Sequence, residues 1–117
     1  MQNNRSVGTI KEDLAAEYLK KDGHEILGKN FRCKYGEIDL ISKEGNYYVF
    51  TEVKYRKNAA DGYPQEAVTK KKQRTIALVA NYYIMKNHLT ADTPVRFDVI
   101  AILGDEITHI KNAFYAI

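Results

Sequence analysis

The chain has 117 residues, 44% of them hydrophobic, with 18 Lys and Arg against 15 Asp and Glu and a formal charge of +3. That length supports one compact domain that folds without disulfides or a structural metal, and the single cysteine, Cys33, excludes an internal disulfide. No signal-like segment is visible, and the most apolar run, Ile76-Ala77-Leu78-Val79-Ala80, is too short to cross a bilayer, so the sequence reads as cytoplasmic.

The expected elements follow the order α-β-β-β-α-β-β over one domain, residues 1–117, with residues 1–6 a flexible lead. A helix is predicted from about Thr9 to Lys21, with Leu14, Ala15, Tyr18 and Leu19 as its apolar stripe and Gly23 suited to a left-handed C-cap. Three strands follow, roughly Glu25–Arg32, Glu37–Lys43 and Tyr47–Lys57, and Glu44-Gly45-Asn46 joins the last two as a hairpin. After a polar loop, Pro64 suits the start of a helical turn. Thr69 then caps a long helix that ends near Lys86 and turns Ile76, Val79, Ala80 and Tyr83 inward. Pro94 restarts the chain as a strand, Val95–Leu103, apolar enough to be buried on both faces. Glu106–Lys111 is a weaker final strand. The third strand, long helix and fourth strand make a β-α-β unit, which predicts a parallel pair with a right-handed crossover. The fold class is α/β, a mixed central sheet flanked by helices.

Alternate residues of a strand share a face, so Tyr48, Phe50, Glu52, Lys54 and Arg56 point one way. Glu52 and Lys54 stand ~6–7 Å apart along it. The hairpin can bring Asp39 close to Glu52. Asp39 interrupts Ile38-Asp39-Leu40-Ile41, where an apolar residue would extend the core. An acid there is costly unless paired or bound to a cation. Mg2+ takes hard oxygen ligands, commonly one or two carboxylates together with substrate phosphate. Asp39 and Glu52 can supply the carboxylates and the Val53 carbonyl a third oxygen, with Mn2+ as a substitute ion, while Lys54 orients the attacking water. Taken alone, Glu-x-Lys on a strand is common and can be an exposed pair worth little. Asp39 shifts the balance toward a metal site.

These residues resemble the YraN family of small bacterial proteins, of the restriction-endonuclease-like superfamily with its PD-(D/E)XK motif. The resemblance covers nearly the whole chain. It includes Gly36-Glu37-Ile38-Asp39-Leu40-Ile41, Phe50-Thr51-Glu52-Val53-Lys54, Arg56, Gly62, Val68, Lys72-Gln73 and Arg96-Phe97-Asp98-Val99-Ile100. Archaeal Holliday-junction resolvases are similar in architecture. Ile38 stands where the motif has proline, Lys11 where glycine is expected and Thr51 where valine is commoner. The resemblance implies a restriction-endonuclease-like fold, with Asp39 and Glu52 as metal ligands and Lys54 positioning the water. It also implies a glutamate from the first helix, which Glu12 matches best and Glu17, on a more exposed flank, less well. Thr9-Ile10-Lys11-Glu12 is equally a capping box, in which Glu12 only caps the helix.

Lys70, Lys71, Lys72 and Arg74 oppose the dipole at the start of their helix, at ~0.3–1 kcal/mol each. A bound phosphate would remove that conflict, and a solvated face is the plainer alternative for Lys70 and Lys71. With Arg56 and Gln73 they form the expected nucleic-acid-binding set, and the resemblance implies that Lys72-Gln73 also help complete the acid site from their helix. Tyr63, Tyr82 and Tyr83 suit base stacking, the last two more often core packing. His24, His88 and His109 are scattered and read as surface residues, and Asp98 beside Arg96 as structural. The implied function is a Mg2+-dependent endonuclease acting on DNA, including branched or junction DNA, for which a two-fold homodimer is expected by analogy. The alternative is a non-catalytic nucleic-acid-binding or partner-binding protein that retains the fold.

Overall fold

Helix α1 spans Val7–Lys21, and its N-cap is Ser6, whose hydroxyl accepts the Thr9 N–H at 3.1 Å. The helix thus begins two residues before the expected Thr9. Glu12 then lies beyond the first turn, and the capping-box role is overturned. The buried stripe is Ala15, Ala16 and Leu19, with Leu14 41% exposed rather than part of it. The small alanines set the inner face because they allow the helix close to the sheet. A computed structural model describes residues 6–63 and 68–115; most of the expected flexible lead, and the turn expected at Pro64, lie outside them.

The strands are β1 (Glu25–Cys33), β2 (Gly36–Glu44), β3 (Tyr47–Arg56), β4 (Val95–Leu103) and β5 (Glu106–Phe114). A short 3-10 turn at Ala59–Asp61 follows β3, and helix α2 (Lys70–Lys86) precedes β4. Thr69 caps α2 as expected, accepting the Lys72 N–H. The sheet order is β1-β2-β3-β4-β5, antiparallel except for the parallel β3–β4 pair. This is the expected mixed α/β arrangement, α-β-β-β-α-β-β. Each helix covers one face. α2 buries Ile76, Val79, Ala80 and Ile84 against Ile38, Ile41, Phe50, Phe97 and Val99. α1 packs its stripe on Leu40, Ile100 and Ile102. β4 is buried on both sides from Phe97 to Ile102, as its composition demands. β5 runs to Phe114, past the expected Lys111, because a register shift opposite Phe97 and Val99, with Asn112 at φ 53°, lets the strand resume pairing.

On the α1 face, away from the expected site, lies a buried polar network. Asp98 is fully buried and accepts from Arg96 Nε and Nη2, both at 2.9 Å, from the Asn112 N–H at 3.0 Å, and contacts His109 Nε2 at 2.7 Å. This supports Asp98 as a structural residue. It corrects the surface placement of two histidines: the His109 side chain is 3% exposed, and His24 is 4% exposed with Nδ1 at 2.9 Å from Ser42 Oγ. Sequence separation hid both, since their partners come from other strands. Only His88 is at the surface, in a turn at φ 58°.

Burial alone would raise the Asp98 pKa, but His109, Arg96 and the Asn112 amide outweigh it and hold the carboxyl down at about 2. The carboxylate therefore stabilises the fold above its unfolded pKa near 3.8, and that contribution is lost as pH falls through about 2. Acid titrations of unfolding should show Asp98→Asn less stable than wild type at pH 5, with the gap shrinking by about 2 kcal/mol toward pH 2.

Gly36 opens β2 at φ +144°, and a Cβ there would stand 2.8 Å from Thr75 Cγ2 of α2. Both the backbone conformation and the close helix approach require glycine. Gly36→Ala should cost about 2 kcal/mol in urea unfolding, with little change in far-ultraviolet circular dichroism.

Candidate active site

The β2–β3 ladder runs from Glu44 opposite Tyr47 to Leu40 opposite Thr51 and stops there. β1 and β2 stay paired to Cys33 and Gly36, and β3 and β4 to Arg56 and Leu103. The sheet therefore forks between β2 and β3. At the fork Asp39 Oδ2 accepts the Val53 N–H at 2.8 Å, a side chain taking the place of a ladder bond. Regular alternation breaks at the same point: Ile38 and Ile41 both pack under α2, while Leu40 packs under α1.

The fork is open to both helical layers. From β3, Glu52 sits with 3% of its surface exposed, its carboxyl beside that of Asp39. From the α1 side, Glu12 lies close to the same Asp39 carboxyl and to the Asn30 side chain. From the α2 side, Lys72 Nζ lies 3.3 Å from Glu52 Oε2, and Lys54 Nζ lies 3.7 Å from the same oxygen. Three carboxyls and two ammonium groups thus converge from four elements.

The electrostatics follow from burial and like charge. Desolvation, then the hydrogen bond and charge of Asp39, push the Glu52 pKa up to about 8, and Lys72 and Lys54 only partly oppose them. Glu12 is also raised, first by burial, with Asn30 pulling the other way and Asp39 and Glu37 adding to the rise. Glu52 Oε2 is buried without a hydrogen-bond partner among the described residues, despite the two ammonium groups near it. A cluster of hard oxygens with one buried oxygen unsatisfied fits a small divalent cation such as Mg2+.

Residues 11–102 match the model of the uncharacterised protein family UPF0102. The chain belongs to this family. It is the one whose motif residues Gly36–Ile41 and Phe50–Lys54 resemble YraN. The UPF0102 protein of Lachnoclostridium phytofermentans is 50% identical over 114 residues, 97% of each chain. That of Clostridioides difficile is 49% identical over 96% of this chain and 99% of its own. That of Caldicellulosiruptor saccharolyticus is 46% identical over 96% and 99%.

The other expected site residues of this UPF0102 chain are spread around the fork. Val53 contributes its N–H to Asp39, and its side chain packs with the α1 cluster. Arg56 lies two residues beyond Lys54, and its Nη1 donates to the Tyr55 carbonyl. Lys70 and Lys71 are exposed in the first turn of α2. Gln73 does not reach the acids: its Nε2 donates to the Val68 carbonyl and fixes the approach to α2. Arg74 faces the other flank of α2, beside Phe97 and Phe114. Glu17 pairs with Lys20 at 3.2 Å, away from the cluster. Tyr83 packs edge-on against Phe31 and Phe50. No helix among the described residues is long and apolar enough to cross a membrane.

One contributor escapes sequence reasoning. Asn30 adopts φ 53° within β1, and an asparagine interrupting a strand pattern was the available signal. Lys72, expected with Gln73 to complete the site from its helix, stands against Glu52.

The raised Glu52 pKa carries a stability slope. Its native pKa of about 8 exceeds the unfolded value near 4.5, so metal-free protein loses stability as pH rises from about 4.5 to about 8. Glu52→Gln has no proton to lose there. Urea unfolding in chelator should show the variant gaining more than about 1 kcal/mol on wild type between pH 5 and pH 8.

Proposed function

We propose that this protein is a divalent-metal-dependent nuclease that hydrolyses DNA phosphodiester bonds, with branched or junction DNA as its preferred form. The observation that carries this reading is the convergence of Glu12, Asp39 and Glu52 at the fork, with Lys54 and Lys72 beside the buried Glu52 oxygen. Asp39 and Glu52 would hold Mg2+, or Mn2+ in its place, with Glu12 and the Val53 carbonyl at hand. When bound, the ion supplies Lewis-acid stabilisation of the phosphate and lowers the pKa of water.

The chain's own groups account for the remainder. Lys54 is 27% exposed on its side chain, so its ammonium can orient a water or hold a phosphate oxygen once a cation relieves its pairing with Glu52. Asp39 keeps the fork open by holding the Val53 amide. Lys70 and Lys71, exposed in the first turn of α2, and Arg56, beyond Lys54 on β3, are the cations that a phosphate backbone would meet beside the fork.

A second reading has its own observation. Lys72 and Lys54 already neutralise part of the Glu52 charge without a metal, as suits a non-catalytic nucleic-acid-binding protein.

Cleavage of supercoiled plasmid and of a four-way junction in Mg2+ or Mn2+ separates the two. On the nuclease reading wild type cleaves, and Asp39→Asn, Glu52→Gln and Lys54→Ala each lose roughly a hundredfold or more. Glu12→Gln should fall as well, since Glu12 does not cap α1. Salt-sensitive DNA binding that survives all four changes, with no cleavage by wild type, sinks the nuclease reading. Sedimentation of the wild type should give a two-fold dimer if junctions are the substrate, and a monomer at micromolar concentration removes the junction preference.

A further inference from the structure

At the end of the sheet opposite the fork, three potential ligand atoms from Asp22, His24 and Glu44 lie within 4.8 Å of one another. Asp22 is the C-cap of α1, His24 follows the turn at Gly23, and Glu44 ends β2. Ten residues of helix separate Asp22 from Glu12, about 15 Å. Five residues of strand separate Glu44 from Asp39, about 16 Å. The cluster is therefore distinct from the acid site.

The arrangement is more than two acids near a histidine. The His24 side chain has no exposed surface, and its Nε2 has no hydrogen-bond partner among the described residues. That nitrogen points at Glu44 Oε2, 3.4 Å away. The other ring nitrogen lies 2.9 Å from the hydroxyl of fully buried Ser42. With the proton on Nδ1 and donated to Ser42 Oγ, Nε2 turns a lone pair toward the Glu44 carboxylate, with the Asp22 carboxylate close by. Metal-bound histidines are commonly oriented by such a partner on the second nitrogen.

The distances suit a zinc-class ion. Bond lengths near 2.1 Å at tetrahedral angles put two ligands on one zinc roughly 3.4 Å apart, the spacing His24 and Glu44 already have. Asp22, 43% exposed on its side chain, has the freedom to close the remaining gap. Glu44 turns its other oxygen to Arg96 at 2.7 Å, leaving Oε2 for the shared position. A cation already approaches that position: Lys111 Nζ lies 3.4 Å from Asp22 Oδ2 and 3.7 Å from Glu44 Oε2. Its side chain is 49% exposed, so it can swing into solvent.

We propose that Asp22, His24 and Glu44 form a second metal site, for a zinc-class divalent ion, that ties the end of α1 to the end of β2. Imidazole with two carboxylates suits Zn2+, Ni2+ or Co2+ better than Mg2+. The fourth position remains for water, and Lys111 is the competitor that the ion displaces. The metal would fasten the helix that carries Glu12, so its role is structural and does not depend on the acid site cutting DNA.

The test is titration of Zn2+ into the full chain carrying Asp39→Asn and Glu52→Gln, which removes two acids of the fork. One ion per chain is expected, with a thermal shift upward and the His24 Nε2 nitrogen resonance moving to a metal-bound position. Asp22→Asn, at an exposed position compatible with folding, should weaken binding by more than about tenfold, since even outer partners of metal ligands are worth ~10–100-fold. Lys111→Gln should strengthen it. No binding at millimolar Zn2+, binding that leaves the His24 resonance unmoved, or affinity indifferent to Asp22→Asn would each overturn the proposal.

Discussion

The arrangement of the acids depends on one hydrogen bond, from the Val53 amide to the Asp39 carboxylate. In a continuous antiparallel pair that amide would face a backbone carbonyl. Here the partner is a side chain, so the ladder ends without leaving a buried donor unpaired, and β2 can leave β3 while β3 stays bound to β4. An unsatisfied amide at this depth would cost roughly 1–3 kcal/mol. Asp39 thus permits the gap in the sheet and also places its own charge in it. The opening gives a helix on each face access to one point: Glu12 arrives from α1, Lys72 from α2, and Glu52 and Lys54 from the strand between them.

Like charges held this close destabilise one another unless protons or cations intervene. The fork meets that demand without metal in two ways, by a raised proton affinity at Glu52 and by the nearby ammonium groups of Lys72 and Lys54. The far end of the α1 face solves a comparable problem differently. There Asp98 is satisfied by four donor contacts and stays ionised. Two buried carboxyls, Glu52 and Asp98, are driven in opposite directions by their surroundings: one toward its proton, one away from it. The saturated acid has the geometry of a structural residue, and the unsaturated one that of a site awaiting a ligand.

Much of this was legible in the sequence because strand parity is a local rule. Glu52 and Lys54 share a face by alternation, and the short turn at Glu44-Gly45-Asn46 brings β2 back onto β3. Asp39 stood out as an acid in an apolar strand. What parity could not reveal was the break in parity: Ile38 and Ile41 lie on one face only because the strand bends at the fork. The role of Glu12 turned on where α1 begins, and two oxygen-bearing residues, Ser6 and Thr9, competed for the cap. His24 and His109 were misplaced because their burial arises from pairings across β2, β4 and β5, with partners far off in sequence. Lys72 was legible as a site candidate through the resemblance, while its pairing with Glu52 in particular depends on how α2 crosses the sheet.

The parallel seam between β3 and β4 has a consequence for how the chain assembles. Every residue at the fork, from Glu12 to Lys72, precedes Val95, yet β3 is an inner strand whose other edge is filled by β4. That pairing must wait for the whole of α2 to be made and folded back, and parallel closure over such a span is slow compared with forming a hairpin. During synthesis the acids would therefore emerge early but remain unassembled, and the segment from Val95 onward would decide when they meet.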